Sequence, residues 1–288
     1  MNKSFTLIEI LVVIVIIGIL SAFIIVSMAG VSSKATIAKG QAFSSSLKNA
    51  LLLNMITQYK LDGDASDSWG SHTTGTVNGA SSYSSCIQST CYNFDGIDDY
   101  IELVDSYDLR MTTGGTISVW IYPRTLGEAS AGRVIDKSTS TTGANGYCIF
   151  LVGSNAIAFR INAEASYLNS SSDAITLNQW QLVTVTFNAA GRKIYVNGVD
   201  KTASGGSLTA LPPDIAGVVT IGNRAGATDR TFDGYIDEVR IYNMVVPSSQ
   251  IQQNYYSGLS RLSAKNQVDF EEYRAMLAEL KESLVVDK

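Results

Sequence analysis

Residues 180–199, WQLVTVTFNAAGRKIYVNGV, contain the pattern that decides the fold. Residues 180–187 and 193–196 are rich in β-branched and aromatic side chains, which is typical of strands. Asn197 and Gly198 follow directly, and both tolerate the positive φ that a two-residue hairpin turn requires. The stretch therefore predicts successive antiparallel strands joined by tight turns.

The same pattern extends over much of the chain. Short runs of this kind, separated by Gly, Asn and Ser, occur at residues 100–104, 116–122, 147–152, 156–161, 217–222 and 235–243. Many short strands at this spacing predict an antiparallel sandwich, and no strand–helix–strand unit is visible. Trp120 and Trp180 fall inside strand patterns, so we expect both rings to pack in the core rather than to stack on a sugar.

Several motifs, in their order along the chain, narrow this interpretation. They are FDGIDDYIEL (94–103), SVWIYP (118–123), WQLVTVTF followed by KIYVNG, TIGNR (220–224), FDGYIDEVRIYN (232–243) and a closing helix, PSSQIQQNYYSG (247–258). Together they resemble a laminin G-like domain of the concanavalin A-like lectin/glucanase superfamily, over residues 92–259. The resemblance implies a jelly-roll of two packed sheets, often with one calcium ion and a surface that binds carbohydrate or protein.

The resemblance also implies where a Ca²⁺ ion would lie. Asp95, Asp99 and Asp237 match the acidic positions that would gather around such an ion, and hard carboxylate oxygens suit calcium. Ligands from opposite ends of the domain would fasten its termini together. A structural alternative remains open, in which Asp95 and Asp98 form local turns. Asp237 would then pair with Arg240.

The N-terminal segment differs from the rest of the chain. Residues 5–29 are almost wholly apolar and, as a helix, are long enough to cross a hydrocarbon core of about 30 Å. Glu9 lies inside this run, where an unpaired carboxylate is costly and therefore implies a partner. A secretory signal peptide is disfavoured, because the apolar run is too long and the small residue, Ser4, comes before it.

The run FTLIEI (5–10) resembles the start of type IV prepilins and of the pseudopilins of type II secretion. That resemblance implies that prepilin peptidase cuts after Ser4 and methylates Phe5, the new N-terminus. In a stack of subunits, Glu9 of one chain would neutralise the Phe5 amine of its neighbour and fix their register. Ser4 stands where Gly is usual, and Val26 stands where many pilins have Pro. The alternative is a plain membrane anchor with an interfacial Glu9.

Apolar residues at helical spacing continue beyond the membrane segment. We therefore expect a leader at residues 1–4 and one transmembrane and stalk helix over residues 5–60. A break near Gly30 or Gly40 is the alternative. Residues 61–91, rich in Asp, Gly, Ser and Thr, predict a connector without regular structure.

The chain has three cysteines. Everything after the membrane segment should lie outside the cytoplasm, where disulfides persist. The short spacing of Cys86 and Cys91 therefore predicts a disulfide between them. Cys148 is left over, and we expect it to be buried in a strand.

Residues 260–288 predict a C-terminal amphipathic helix. Its apolar stripe, at three- and four-residue spacing, consists of Phe270, Tyr273, Leu277, Leu280 and Leu284. Asp269 stands where it would cap the N-terminal end. We expect the stripe to pack on the sandwich or the stalk, with a contact between neighbouring subunits as the alternative.

Composition and motifs limit the function. The net charge is -5 and no run of Lys or Arg occurs, so nucleic acid is not an expected partner. His72 is the only histidine and lies in the predicted connector, so Ser/His/Asp, Cys/His and His-rich zinc sites are poorly supported. The run of carboxylates that glycan hydrolases of the superfamily carry on one strand is also missing. We therefore expect a protein that is not an enzyme.

The sequence thus predicts an α+β protein with a long N-terminal α-helix, an antiparallel β-sandwich and a short C-terminal helix. We expect a structural subunit of a type IV pilus or pilus-like filament that displays a lectin-like head for adhesion to glycan or protein. It would span the inner membrane once before joining other pilin subunits in an extracellular pilus. The alternatives are a pseudopilin in a periplasmic type II secretion filament and an envelope-tethered glycan-processing enzyme.

Overall fold

The computed structural model describes residues 53–70, 72–138, 145–162, 167–203 and 211–286. The predictions for Ser4, Phe5 and Glu9, and for a helix up to residue 52, lie outside the described residues. Nowhere in the described ranges is a helix both long enough and apolar enough to cross a bilayer. Asn54–Lys288 form one compact unit.

Strands are the commonest regular elements among the described residues of this unit. They are β1 (Met55–Tyr59), β2 (Thr76–Asn78), β3 (Ser81–Tyr83), β4 (Cys91–Asp95), β5 (Tyr100–Leu103), β6 (Gly115–Pro123), β7 (Arg133–Ser138), β8 (Gly146–Val152), β9 (Ala156–Ile161), β10 (Leu168–Asn169), β11 (Gln181–Asn188), β12 (Gly191–Val196), β13 (Val199–Asp200), β14 (Val219–Ile221) and β15 (Asp233–Tyr242). Two helices follow, α1 (Ser248–Ala264) and α2 (Phe270–Val286). Both helices predicted from the sequence are present, but the closing helix continues to Ala264, so the C-terminal helix begins at Phe270 rather than at residue 260.

The strands form two sheets. The eight-stranded sheet has the order β13-β12-β11-β6-β15-β4-β3 with β1 added beside β15, and the seven-stranded sheet has the order β10-β9-β8-β7-β14-β5-β2. The described pairs are antiparallel. Alternate residues face the other sheet, so Ile101 and Leu103 of β5 and Val183 and Val185 of β11 are buried in one core. The structure confirms the antiparallel β-sandwich.

Residues 55–59 form strand β1, whereas the sequence predicts helix up to residue 60. β1 pairs with residues 239–242 of β15, while β4 pairs with residues 233–236 of the same strand. Without β1, part of this edge would have no partner, and a buried backbone group without a hydrogen bond costs about 1–3 kcal/mol. The helical prediction is therefore wrong here, because pairing with a distant strand outweighs local spacing.

The predicted connector is part of the sandwich. β2 and β3 both lie within residues 61–91, and Leu61 and Ile87 are buried. β2 extends the seven-stranded sheet beside β5, and β3 extends the eight-stranded sheet beside β4. The sandwich therefore begins at Met55 rather than at residue 92.

The two helices cover part of the outer face of the eight-stranded sheet. The rings of Trp120 and Tyr255 stack with their centroids 5.7 Å apart, and Trp180 is buried nearby. Both tryptophans thus pack in the interior, as the strand pattern predicts. Tyr273 and Leu277 of α2 pack against the same cluster, so these two residues of the stripe contact the sandwich.

Helix α2 is also held at its start and along its length by polar contacts. Asp269 Oδ1 accepts a hydrogen bond of 2.8 Å from the Glu272 amide, which is the predicted cap. Lys201 Nζ, just beyond β13, lies 2.7 Å from Glu279 Oε1. These contacts fix the helix beside the edge of the eight-stranded sheet.

Gly258 of α1 lies directly against the Trp120 ring. A Cβ atom at this position would lie 2.2 Å from Trp120 Cζ2. Gly258→Ala should lower the free energy of unfolding by about 1–2 kcal/mol, because overpacking against a buried ring outweighs the gain in helix propensity. Urea unfolding of the purified chain in detergent measures this. Gly153→Ala, whose new Cβ meets nothing within 4 Å, is the control, and equal stability of the two variants would contradict the prediction.

Candidate functional site

The turn between β4 and β5 gathers three carboxylates. Ligand oxygens of Asp95, Asp98 and Asp99 all lie within 4.8 Å of one another. The buried Asp99 accepts a hydrogen bond of 2.8 Å from the Asp95 amide, and Asp95 Oδ1 accepts one of 2.8 Å from the Ile97 amide. Asp95 therefore takes part both in the acidic cluster and in a local turn, the two alternatives that the sequence left open.

Charge repulsion makes this cluster a candidate cation site. Burial raises the pKa of Asp99, and the carboxylates of Asp95 and Asp98 raise it further against the opposing effect of the hydrogen bond from the Asp95 amide. A divalent cation would relieve that repulsion. Because carboxylate oxygens are the hard donors that calcium prefers, the donor set fits Ca²⁺.

Asp237 lies apart from the acidic cluster. Asp95 pairs with Asp233, four residues before Asp237, so Asp237 lies about 13 Å further along β15. Its Oδ2 accepts a hydrogen bond of 3.0 Å from the Ile87 amide. Burial and the neighbouring Glu238 carboxylate raise the pKa of Asp237 well above its usual range. The structure thus brings two of the three expected ligands together and separates the third.

The alternative pairing of Asp237 with Arg240 is not formed either. The register between β15 and β6 shifts between these two residues, and Glu238 adopts a φ of 51° in this bulge. The Glu238 carboxylate binds the Arg240 guanidinium and accepts a hydrogen bond of 2.9 Å from Gln58 Nε2. The bulge interrupts the side-chain alternation on which the sequence-based pairing depended.

A disulfide joins Cys86, in the loop before β4, to Cys91, the first residue of β4. Asp237 accepts a hydrogen bond from the backbone of this loop. Lys265, which follows α1, donates one of 3.0 Å to the Cys86 carbonyl. The loop is therefore fastened both to β15 and to the helical pair. Cys148 is buried in β8, as predicted.

An open pocket lies on the outer face of the seven-stranded sheet. Strand alternation turns Tyr100 and Glu102 of β5 away from the core, and Thr220 of β14 lies directly across from Glu102. Arg224 and residues 226–228 complete the lining, and the pocket has a volume of about 280 Å³. The pocket is thus built by two adjacent strands and one loop.

The loop that walls the pocket is tied to the acidic turn. Thr231 Oγ1 donates a hydrogen bond of 2.9 Å to the Ile97 carbonyl and accepts one of 2.8 Å from Asn223 Nδ2. Within the loop, Arg224 Nη2 lies 2.6 Å from Asp229 Oδ2. An ion that orders the acidic turn would therefore also act on the wall of the pocket.

A buried charged pair adjoins the pocket in the same sheet. Asp136 of β7 pairs in register with Thr220, and its Oδ2 lies 3.1 Å from Arg133 Nε. The Arg133 guanidinium also lies 4.1 Å from the centre of the Phe150 ring. Burial raises the pKa of Asp136, and the Arg133 charge opposes that rise. The pair therefore places buried charged side chains next to the pocket.

The lining of the pocket suits a ligand rich in hydroxyl groups. Glu102 accepts hydrogen bonds, Arg224 donates them, and the hydroxyls of Thr220 and Tyr100 do both. A few convergent polar groups with an aromatic side chain are typical of small-ligand sites. Sequence reasoning did not find this pocket, because its residues are distant in the chain. The one signal was that the motifs at residues 94–103 and 220–224 contain four of the lining residues, Tyr100, Glu102, Thr220 and Arg224.

Two antiparallel sheets with an open polar pocket beside an acidic turn define a lectin-like β-sandwich. Residues 95–252 match the family model of the concanavalin A-like lectin/glucanases superfamily, and the chain belongs to this superfamily. Residues 1–25 match the prokaryotic N-terminal methylation motif, the signal of type IV pilins. No significant match to this chain is found among the curated proteins.

Solved structures share the sandwich at low sequence identity. Domain 4 of AbnA, a GH43 extracellular arabinanase from Geobacillus stearothermophilus solved in complex with arabinotriose, is 20% identical with a TM-score of 0.55. The match covers 69% of this chain and 97% of that chain. At this identity the likeness shows the fold alone.

Toxin binding domains have the same fold. The binding domain of Paraclostridial Mosquitocidal Protein 1 is 16% identical with a TM-score of 0.58, and the match covers 73% of this chain and 53% of that chain. Botulinum neurotoxin type C, whose cell entry depends on interaction with two ganglioside molecules, is 17% identical with a TM-score of 0.52 and the same coverage, 73% and 53%. This chain thus spans about half of each toxin chain.

Proposed function

We propose that this protein is a type IV pilin-like filament subunit whose lectin-like head binds a glycan outside the cell. The observation that carries the proposal is the presence, on one chain, of the methylation motif at residues 1–25 and the lectin-like domain at residues 95–252. The first element serves anchoring and assembly. The second supplies the surface that the filament displays.

Assembly depends on the N-terminal residues. Residues 5–29 hold the subunit in the inner membrane, where prepilin peptidase cuts after Ser4 and methylates Phe5. In the filament, Glu9 neutralises the Phe5 amine of the neighbouring subunit, so that two costly charges in apolar surroundings become one pair. Prepilin peptidase and other pilin subunits are therefore the expected partners.

The pocket lined by Tyr100, Glu102, Thr220 and Arg224 supports a glycan ligand. Its mixture of donors, acceptors and one aromatic ring matches the hydroxyl groups and apolar faces of a sugar. Among the proteins of similar fold, the arabinanase domain was solved in complex with arabinotriose, and cell entry of botulinum neurotoxin type C depends on interaction with two ganglioside molecules. A neutral oligosaccharide is the ligand class that these groups favour.

We further propose that the head binds its ligand without cleaving it. Glycosidases generally use two carboxylates about 5–9.5 Å apart on either side of the scissile bond. Among the residues that line the described pocket, Glu102 is the one carboxylate. Binding alone is therefore the activity that this lining favours.

Calcium is the proposed structural cofactor, at Asp95, Asp98 and Asp99. The ion would offset the repulsion among three carboxylates in one turn. The hydrogen bond from Thr231 to the Ile97 carbonyl would transmit this order to the wall of the pocket.

Glu9→Ala should leave membrane insertion intact and remove the subunit from filaments, because the variant is more apolar but lacks the partner for the Phe5 amine. Intact-mass analysis of filaments sheared from cells that express the chain measures both processing and incorporation. The wild-type chain should begin at methylated Phe5. Glu102→Ala, a carboxylate change in the head, is the control and should assemble normally.

The same measurement separates the alternatives. Normal incorporation of Glu9→Ala would contradict the assembly role of Glu9. A processed wild-type chain found only in the membrane fraction would favour a pseudopilin of type II secretion. An uncleaved chain that still begins at Met1 would mean that Ser4 is not accepted and that the segment is only an anchor.

Glu102→Gln should weaken binding of a neutral oligosaccharide about tenfold or more, because a hydrogen bond to a charged group contributes about 1.5–3 kcal/mol. The measurement is titration calorimetry with the purified chain, starting with arabinotriose and a panel of neutral oligosaccharides. Glu271→Gln, an exposed change on α2, should bind normally. If no member of the panel binds the wild-type chain, or if both variants bind equally, the pocket is not the glycan site.

Calcium should raise the melting temperature of the purified chain, because an ion that binds only the folded state stabilises it by about 2.7 kcal/mol at one hundred times its Kd. Asp99→Asn should abolish that increase. Asp237→Asn should retain it, because Asp237 lies outside the cluster. Differential scanning calorimetry with calcium and with a chelator tests this. An equal melting temperature in the two conditions would contradict the proposed calcium site.

A further inference from the structure

His72, the only histidine of the chain, lies between two carboxylates from separate segments. Its Nδ1 is 3.0 Å from Asp67 Oδ2, in the loop after β1, and its Nε2 is 3.1 Å from Asp108 Oδ1, after β5. Nε2 also lies 3.0 Å from Ser106 Oγ. The His72 side chain is 11% exposed and that of Asp67 is fully buried, so the contact between these two is largely shielded from water, whereas the Asp108 side chain is 49% exposed.

The partners of the ring decide its protonation state. A carboxylate oxygen only accepts hydrogen bonds, so both ring nitrogens must carry a hydrogen to satisfy Asp67 and Asp108 together. That form is the imidazolium cation. Asp67, His72 and Ser106 have the order of a catalytic relay, but the Ser106 hydroxyl donates to Asp108. While the ring is cationic it cannot accept the serine proton, so the protonated arrangement does not activate a nucleophile.

Asp67 organises the segment on one side of the ring. Its Oδ1 accepts hydrogen bonds of 3.0 Å from the amides of Gln58, Trp69 and Gly70. Gln58 belongs to β1, so this carboxylate fixes the loop to the first strand of the sandwich. The Trp69 indole donates a further bond of 3.0 Å to the Met55 carbonyl. Holding Asp67 therefore holds residues 58–70, the end of β1 and the loop that follows it, in place.

Asp108 organises the segment on the other side. It begins the 3₁₀ turn Asp108–Arg110, and its carboxylate accepts a hydrogen bond of 3.0 Å from the Leu109 amide. Leu109 is buried in the core, so this turn is fixed to the sandwich. His72 is thus the link between the loop after β1 and an anchored turn.

The electrostatics agree with this geometry. Burial opposes ionisation of Asp67, but hydrogen bonds from Gly70, Trp69 and Gln58 outweigh it and lower the pKa of Asp67 to about 2. Hydrogen bonds from Ser106 and His72 likewise outweigh burial and lower the pKa of Asp108.

The two carboxylates act on the ring in return. Burial alone would lower the pKa of His72, but hydrogen bonding and attraction to Asp108 and Asp67 outweigh it and raise that pKa. Tyr59 of β1 faces both carboxylates as well, and burial raises its pKa to about 12, so it stays neutral.

We propose that His72 is a pH-sensitive clamp, which fastens the loop after β1 to the turn after β5 while it is protonated and loosens that contact when it loses a proton. The device lies where the sandwich begins, at its first strand. None of its residues lines the pocket or belongs to the acidic cluster.

The sign of the pH dependence follows from the direction of the shift. The folded chain binds this proton more tightly than the unfolded chain, whose histidine titrates near 6.5. The stabilisation is therefore fully present below about pH 6.5 and is lost as the pH rises through the higher pKa of the folded state. Each unit by which the pKa is raised corresponds to a tenfold change in the folding equilibrium across that interval.

The first test is the titration of His72 itself. A single histidine gives a single signal in the NMR spectrum of the full chain, labelled with ¹³C-histidine, in detergent. We expect an apparent pKa above that of the same chain in urea, and Asp108→Asn should move it down. Glu271→Gln, which removes an exposed carboxylate elsewhere, should not move it. A folded pKa at or below the value in urea would overturn the clamp.

The second test is local opening, measured by amide hydrogen exchange of the full chain. His72→Gln should exchange several-fold faster than the wild type in residues 56–70 at about pH 5.5, and the ratio should approach one at about pH 8.5. Comparing variants at the same pH cancels the intrinsic pH dependence of exchange. Asp108→Asn provides the same comparison if His72→Gln does not fold. An equal ratio at both pH values would show an ordinary packing role and overturn the proposal.

Discussion

The backbone of β15 must be hydrogen-bonded along both edges, because a buried peptide group without a partner costs about 1–3 kcal/mol. β6 occupies one edge, and β4 and β1 divide the other on either side of the bulge at Asp237 and Glu238. Because β1 is needed to pair with part of this edge, the sandwich begins at Met55 rather than at residue 92. The burial of Asp237, which lies at the bulge and binds the disulfide loop instead of the acidic turn, follows from the same division.

Local pattern predicts those strands whose alternation is long and regular. Residues 180–187 and 193–196 indicate β11 and β12 almost to the residue. Met55–Tyr59, in contrast, is a run of five residues whose spacing fits a helix as well as a strand. Pairing with residues 239–242 stabilises the strand. β2 and β3 have three residues each, too few to show a period. The missed elements are thus those specified by distant partners.

The candidate site likewise has a part that the sequence predicts and a part that depends on distant partners. Asp95 and Asp99 lie in one motif, so their proximity follows from the sequence, whereas the place of Asp237 depends on the register of β15. The pocket combines β5, β14 and a loop, and no local pattern connects them. His72 has one local sign, the carboxylate of Asp67 five residues earlier, but its second carboxylate is 36 residues away. Contacts that close over long sequence distances cannot be derived from periodicity.

The pairing of β1 with β15 also determines the order in which the sandwich can form during synthesis. Gln58 and Glu238, which are hydrogen-bonded to each other, lie 180 positions apart, so β1 leaves the ribosome long before its partner exists. Closing so long a loop is entropically costly, and folds rich in such contacts form slowly. The β11–β12 hairpin and the loop between Cys86 and Cys91, five positions apart, need only near neighbours. β1, which precedes the other described strands in the chain, is therefore among the last to find its place.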